Sequence, residues 1–92
     1  MIKSFRSKAL KQFAATGDAS KLPVQNSADR IRRQLQALDA ATAPEQMNLP
    51  GWYFHGLQGK PKRWSVRVTA NWRITFGFDG EHAEAVDLED YH

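Results

Sequence analysis

Residues 64–78 read WSVRVTANWRITFGF and contain two alternating runs separated by a short polar break. Alternation with a period of two is typical of strands that bury one face. The apolar members of the two runs are predicted to form the buried side of a hairpin: Trp64, Val66, Val68, Trp72, Ile74, Phe76 and Phe78. Arg67 and Arg73 then share the other side, which we call the cationic face. Such a hairpin offers a surface for an anion.

The length and composition of the chain predict one soluble domain covering residues 1–92. Ninety-two residues suffice for a single two-layer core, and the apolar fraction of 41% is ordinary for a folded globule. The chain has no cysteine, which excludes disulfides and thiolate metal sites. No signal peptide and no apolar run of membrane-spanning length is recognisable. We therefore expect a cytoplasmic protein without membrane contact.

Charge is distributed unevenly along the chain. Residues 1–78 hold all thirteen Lys and Arg residues with only four acids, whereas residues 79–92 hold six acids and no Lys or Arg. Two interpretations are open. The acidic and basic segments can simply pair within one fold, or a basic surface can bind nucleic acid while an acidic last strand supplies side chains to a site.

Two helices are predicted before the hairpin. The first covers residues 7–16 and ends at Gly17. The second begins at Asn26 or Ser27, loses its pattern near Thr42, and carries an apolar stripe at helical spacing: Ala28, Ile31, Leu35 and Leu38. Three arginines lie off this stripe, at positions 30, 32 and 33. They form either a solvated helix face or a surface that contacts a phosphate chain.

Three further segments are predicted to join the hairpin in one sheet. Ile2 to Phe5 is a short first strand, Trp52 to His55 an aromatic one, and His82 to Leu88 a last strand that follows the turn at Asp79-Gly80. In the last strand, strict alternation places Glu84, Val86 and Leu88 opposite Ala83, Ala85 and Asp87. The fold class is therefore α+β, with two helices on one face of a mainly antiparallel sheet of about five strands, in the order β-α-α-β-β-β-β.

A group of residues compatible with phosphodiester chemistry accompanies the hairpin. RNA is cut without a metal when its own 2′-hydroxyl attacks the adjacent phosphate, which requires a base, an acid and cations for the extra charge. Histidine suits both proton transfers, and arginine presents paired donors to phosphate. The candidates are His55, Arg67, Arg73 and the ending Asp90-Tyr91-His92. No cofactor is expected, and the three histidines are a weak metal signal because no i, i+4 pair occurs.

Each candidate also has an ordinary structural interpretation. His55 can be a polar-face histidine, and a histidine at a chain end is commonly frayed. Arg67 and Arg73 can pair with Asp87 or Glu89 on a neighbouring strand. The basic segment before the hairpin adds three candidate RNA contacts, Lys60, Lys62 and Arg63.

Four short segments together resemble the HigB toxins of type II toxin-antitoxin systems, in the RelE superfamily. They are residues 1–5 (MIKSF), 38–42 (LDAAT), 71–76 (NWRITF) and 89–92 (EDYH). The resemblance extends over the whole chain. It implies a RelE-type fold and a ribosome-dependent endoribonuclease that cleaves mRNA during translation. It also implies a HigA-type antitoxin as partner, through which alone the protein would contact operator DNA.

The same resemblance implies roles for individual residues. His55, Asp90, Tyr91 and His92 correspond to catalytic residues, as does Arg73, while Arg67 corresponds to a basic position of the preceding strand. Gln58 stands where the family commonly has lysine, and Lys60 and Lys62 are the candidates to replace that cation. The alternative is a ParE-like toxin that acts on DNA gyrase without nucleolysis, on the same scaffold. A passive RNA-binding module is a third reading, which predicts salt-sensitive binding without cleavage.

Overall fold

The protein is seen in a computed structural model that describes residues 1–90. Helix α1 spans Lys8–Thr16 and helix α2 spans Ala28–Ala40, and 3-10 turns lie at Gln25–Ser27 and Pro44–Met47. The strands are β1 (His55–Leu57), β2 (Arg63–Arg67), β3 (Trp72–Asp79) and β4 (His82–Asp90). The predicted α+β class and its two helices are confirmed. Within the described residues no helix has the length and apolar character needed to cross a membrane.

The sheet has four strands in the order β1-β2-β3-β4, and every neighbouring pair is antiparallel. The predicted count of about five strands is wrong. The aromatic strand predicted at residues 52–55 is displaced, because β1 begins only at His55, and the predicted first strand at residues 2–5 does not form as a strand. Ile2 and Phe5 instead form two isolated parallel bridges to Ala83 and Val86 of β4. Between these two bridges, Ala85 N–H donates to the side-chain hydroxyl of Ser4, at 2.8 Å.

Local signals set the ends of helix α1 and the turn between β3 and β4. The hydroxyl of Ser7 accepts a hydrogen bond from Leu10 N–H, which caps the start of α1. Gly17 ends the helix in the left-handed conformation at φ 78°, where a side chain is unfavourable. Gly80, at φ 63°, lies in the predicted turn after Asp79. The predicted end of α1 at Gly17 and the predicted turn at Asp79-Gly80 are therefore confirmed.

The core lies between the helices and the apolar side of the hairpin. Its fully buried side chains include Leu10, Ile31, Leu38, Val66, Ile74, Phe76 and Val86. The predicted stripe of α2 is confirmed at Ile31, Leu35 and Leu38, all of which are buried. Both helices therefore cover one face of the sheet, and the cationic face is the other.

Strand β4 contains a bulge that the alternating pattern did not predict. Ala85 has a φ of 50°, and the pairing with β3 shifts register between Thr75 and Gly77. Because of the extra residue, Ala83 and Val86 both reach the core although their numbers differ by three. The strict alternation predicted for residues 83–88 is wrong at Ala83 and Glu84. Ala83 pairs with Phe78 and faces the core, and Glu84 pairs with Gly77 and faces the other side.

Candidate functional site

Two arginines lie side by side on the cationic face. Arg67 of β2 pairs in register with Arg73 of β3, and Arg73 pairs on its other side with Glu89 of β4. Neighbouring like charges on adjacent strands are unfavourable in a sheet, whereas an adjacent carboxylate offsets the charge. The register thus places two arginines next to each other with an acid beside them, so that this part of the sheet carries positive charge to which an anionic group can bind.

His55 begins the edge strand on the same face. It pairs with Ser65, which pairs with Thr75, which in turn pairs with Asp87. This row is adjacent to the Arg67–Arg73–Glu89 row, because residues two apart on a strand share a face. His55 is exposed, so its imidazole is accessible at the edge of the sheet. The topology therefore brings the predicted histidine and both predicted arginines to one surface.

A buried polar network occupies the centre of this face. Arg63 Nη2 donates to Thr75 Oγ1 and to the carbonyl of Ala85, each at 2.9 Å, and the Thr75 hydroxyl donates to the Glu89 carboxylate. Ser65 is 3% exposed and Thr75 fully buried. The cationic face is therefore not open at its centre, where side chains from three strands cover the sheet.

Burial lowers the pKa of the Arg63 guanidinium, and the charge of nearby Arg6 lowers this pKa further. The carboxylates of Glu89, Asp87 and Glu84 act in the opposite direction. Arg63 was predicted as an RNA contact. Its two intramolecular bonds give it a part in holding β2, β3 and β4 together.

Helix α2 holds the end of β2 from behind. The carbonyl of Arg67 accepts hydrogen bonds from Arg30 Nε at 3.2 Å, from Arg30 Nη2 at 3.1 Å and from Gln34 Nε2 at 2.9 Å. Arg30 Nη2 also donates to the carbonyl of Gly51 at 2.6 Å. Of the two interpretations of the helix arginines, neither describes Arg30, because its side chain bonds the main chain of this protein.

The other two helix arginines pair with Asp29 on exposed surface. Arg32 Nη2 contacts one carboxylate oxygen, and Arg33 Nε lies 3.3 Å from the other. These pairs fit the solvated helix face, and exposed pairs of this kind add little stability.

The loop between β1 and β2 carries the other predicted cations. Lys62 Nζ donates to the carbonyl of Leu57 at 3.0 Å and lies 6.0 Å from the centroid of the Trp64 ring. Lys60 precedes Pro61 and is exposed. Lys60 is therefore an exposed cation of this loop, whereas Lys62 bonds back to β1.

Of the three predicted C-terminal site residues, the structure describes only Asp90. Asp90 pairs with Trp72, so alternation assigns it to the face opposite Arg73, at the exposed end of β4. Glu89 is the acid that the register places beside Arg73 on the cationic face, and together with Thr75 it was missed as a site residue. The signal was available, since both alternate with core residues. Tyr91 and His92 lie outside the described residues.

Comparison with known proteins identifies the family. The family described as RelE-like toxins of the type II toxin-antitoxin system HigB matches residues 3–92. The chain belongs to this family. It is 44% identical to Endoribonuclease HigB of Proteus vulgaris over the full length of both chains. It is also 33% identical to Toxin HigB-1 of Vibrio cholerae serotype O1, over 83% of this chain and 82% of the relative. The resemblance to HigB toxins is confirmed.

Membership of this family means that the protein is the toxin of a type II toxin-antitoxin system. A toxin of a type II system has a cognate antitoxin as its partner, so this part of the predicted partner set is supported. Within residues 1–90 no group of three or more His, Asp or Glu side chains is arranged to hold a metal ion. The absence of a metal from the reaction stays a prediction.

Proposed function

We propose that this toxin is a ribosome-dependent endoribonuclease that cleaves mRNA during translation and thereby inhibits protein synthesis and growth. The observation that carries the proposal is the row of Arg67 and Arg73 lying directly beside the row that begins at His55. A phosphate bound by the two guanidinium groups would have an imidazole nearby on the same surface. Endoribonuclease activity is also the activity in the name of the relative that is 44% identical.

The chemistry needs no resident group beyond side chains. The 2′-oxygen of one nucleotide attacks the adjacent phosphorus, and the bond from phosphorus to the 5′-oxygen breaks. A base removes the 2′-hydroxyl proton, and an acid protonates the leaving 5′-oxygen, so that a cyclic phosphate and a free 5′-hydroxyl result. His55 and His92 are proposed to share the acid and base roles with Asp90 and Tyr91, since an imidazole group gains and loses a proton near neutral pH. Because alternation assigns Asp90 to the other face of β4, it is proposed to act around the exposed end of that strand.

Arg73 is proposed to stabilise the charge that develops on the phosphate, with Arg67 binding the neighbouring phosphate oxygen. A guanidinium group offers paired donors in fixed geometry, and donors aimed at developing charge contribute strongly to rate. Lys60, Lys62 and Arg63 are proposed to contact the RNA backbone. Of these, Lys62 and Arg63 already donate within the protein, so Lys60 is the principal candidate for replacing the cation that Gln58 lacks.

The cellular setting follows from the substrate. An enzyme that reads mRNA in translating ribosomes acts in the cytoplasm, and a HigA-type antitoxin is proposed to neutralise it. Operator DNA is proposed to be contacted through that antitoxin alone. We propose that residues 1–92 form one toxin domain.

Mapping the 5′ ends of mRNA tests this function. The protein is incubated with mRNA alone and with a ribosome programmed with the same mRNA. We expect cuts only with the ribosome, and their disappearance when antitoxin is added first. No cuts in either reaction would reject the proposal, and a gyrase supercoiling assay run in parallel would then test the ParE-like alternative.

A further inference from the structure

Tyr53 is an exposed aromatic residue next to the candidate site that no role described above includes. Its side chain belongs to a residue that is 65% exposed, whereas its neighbours Trp52 and Phe54 are half-buried against the core. His55 follows two residues later and is also exposed. The Tyr53 ring packs against Arg67 of the cationic face, and a core-packing role does not account for it.

The backbone at Tyr53 is in the left-handed region, with a φ of 49°. Residues other than glycine, asparagine and aspartate rarely adopt this conformation, and such outliers cluster at functional sites. Its cause is a change in pairing. Arg67 N–H donates to Trp52 O at 2.8 Å, while Ser65 pairs with His55, so the edge segment has one more residue than β2 over this interval. As in a β-bulge, the extra residue re-aims a side chain.

The contacts around Tyr53 hold its ring in place. The guanidinium carbon of Arg67 lies 4.3 Å from the centroid of the Tyr53 ring, within the range of a cation–π interaction. The two residues before Tyr53 are held through their carbonyls, since Arg30 Nη2 donates to Gly51 O and Arg67 N–H donates to Trp52 O. A rigid ring that is stacked on a cation and still mostly exposed is preorganised to receive a flat ligand.

We propose that Tyr53 is a stacking platform for an RNA base next to the scissile phosphate. This inference rests on the proposed nuclease function. Bases in single-stranded RNA are recognised by stacking on aromatic rings and on arginine planes. Arg67 would contribute to binding both the base and the phosphate, since its guanidinium contacts the Tyr53 ring and its position beside Arg73 suits the phosphate. The location of Tyr53 between Arg67 and His55 favours a nucleotide over a partner protein as the occupant.

The test combines variants of Tyr53 with mRNAs that lack one base. Tyr53→Leu removes the ring, and Tyr53→Phe retains it as a matched control. On programmed ribosomes we expect Tyr53→Leu to cleave about ten-fold to a hundred-fold more slowly, the scale of one lost stacking interaction, and Tyr53→Phe to remain close to the wild type. Abasic nucleotides are then placed one at a time on either side of the cut.

Stacking makes a specific forecast for the combination. At one mRNA position the abasic nucleotide should slow the wild type and Tyr53→Phe but leave Tyr53→Leu unaffected, because the ring and the base act as a pair. If, at every mRNA position, the rate reductions caused by Tyr53→Leu and by the abasic nucleotide simply multiply, the ring and the base act independently and the proposal is overturned. A Tyr53→Leu protein that cleaves like the wild type would also overturn it. Weaker antitoxin binding by Tyr53→Leu with unchanged cleavage would also overturn it and point to a protein occupant.

Two controls keep the failures distinct. Absence of cleavage by the wild type would reject the nuclease function and the platform together, whereas normal wild-type cleavage with no pairing between ring and base would reject the platform alone. Urea unfolding reports whether each variant is folded. If Tyr53→Leu lowers the urea midpoint of unfolding, Tyr53→Met provides a second non-aromatic side chain for the same combination with abasic mRNAs.

Discussion

Thr75 donates a hydrogen bond to Glu89 across strands β3 and β4, at a position where Thr75 is fully buried. The same hydroxyl accepts a bond from Arg63, so one side chain joins a cation of β2 to an acid of β4. Glu89 directly precedes the Asp90-Tyr91-His92 ending. The hydroxyl therefore ties β4 to its neighbours one position before Asp90, which is proposed to take part in proton transfer.

Thr75→Val should destabilise the protein. The substitution leaves Glu89 and Arg63 each without one hydrogen-bond partner, which lowers the free energy of unfolding by about 1–3 kcal/mol. Thr75→Ser restores the hydroxyl and should recover most of the loss. Urea unfolding of the three proteins measures this difference. Equal stability of Thr75→Val and the wild type would show that the polar network contributes nothing.

Arg73→Ala should slow mRNA cleavage on programmed ribosomes by at least about ten-fold, because a donor to the developing phosphate charge is lost. Arg73→Lys keeps the charge but not the paired donors, so its cleavage rate should lie between those of the wild type and Arg73→Ala. His92→Gln, at a proposed proton-transfer residue, should reduce the rate on a similar scale. Unchanged rates for Arg73→Ala and His92→Gln would reject these assignments.

Arg30→Met should lower the free energy of unfolding by about 1.5–3 kcal/mol, the scale of hydrogen bonds made by a charged group. It removes the guanidinium donors to the carbonyls of Arg67 and Gly51 while keeping much of the aliphatic side chain. Gln34 still donates to the Arg67 carbonyl. Arg33→Met on the same helix is the matched control, and as an exposed change it should stay within about 0.5 kcal/mol of the wild type. Chemical denaturation of both variants decides, and similar losses would contradict a special role for Arg30.

Asp79→Asn should reduce stability at neutral pH but not in acid. Lys3 Nζ lies 2.6 Å from the Asp79 carboxylate, and its hydrogen bond and charge lower the pKa of Asp79. A lowered folded-state pKa adds stability above the ordinary value of 3.8, and this stability disappears as the pH falls through the lowered value. Asparagine also suits the turn before Gly80, so the turn itself should persist.

Unfolding curves of the wild type and Asp79→Asn from neutral to acidic pH test this expectation. The two curves should converge as the pH decreases. A constant gap between them would attribute the difference to the turn and not to the pair with Lys3.

The sequence by itself determined the features that depend on neighbouring residues. Period-two alternation over residues 64–78 predicts the hairpin and the shared face of Arg67 and Arg73, because successive side chains of a strand point to opposite sides. Spacings of three and four predict the buried stripe of α2, and Gly17 and Gly80 mark positions where a left-handed backbone is easily adopted. Four short segments resembling HigB toxins were sufficient to indicate the family.

Only the tertiary structure decided the features that depend on contacts between distant residues. Arg30 and Arg67 are 37 positions apart, and helical periodicity alone cannot show that the first bonds the carbonyl of the second. The left-handed backbone of Tyr53, the bulge at Ala85 and the parallel bridges of Ile2 and Phe5 likewise arise where one strand has to match another. Pattern in a sequence fixes which face a side chain joins, whereas register between strands fixes what it meets there.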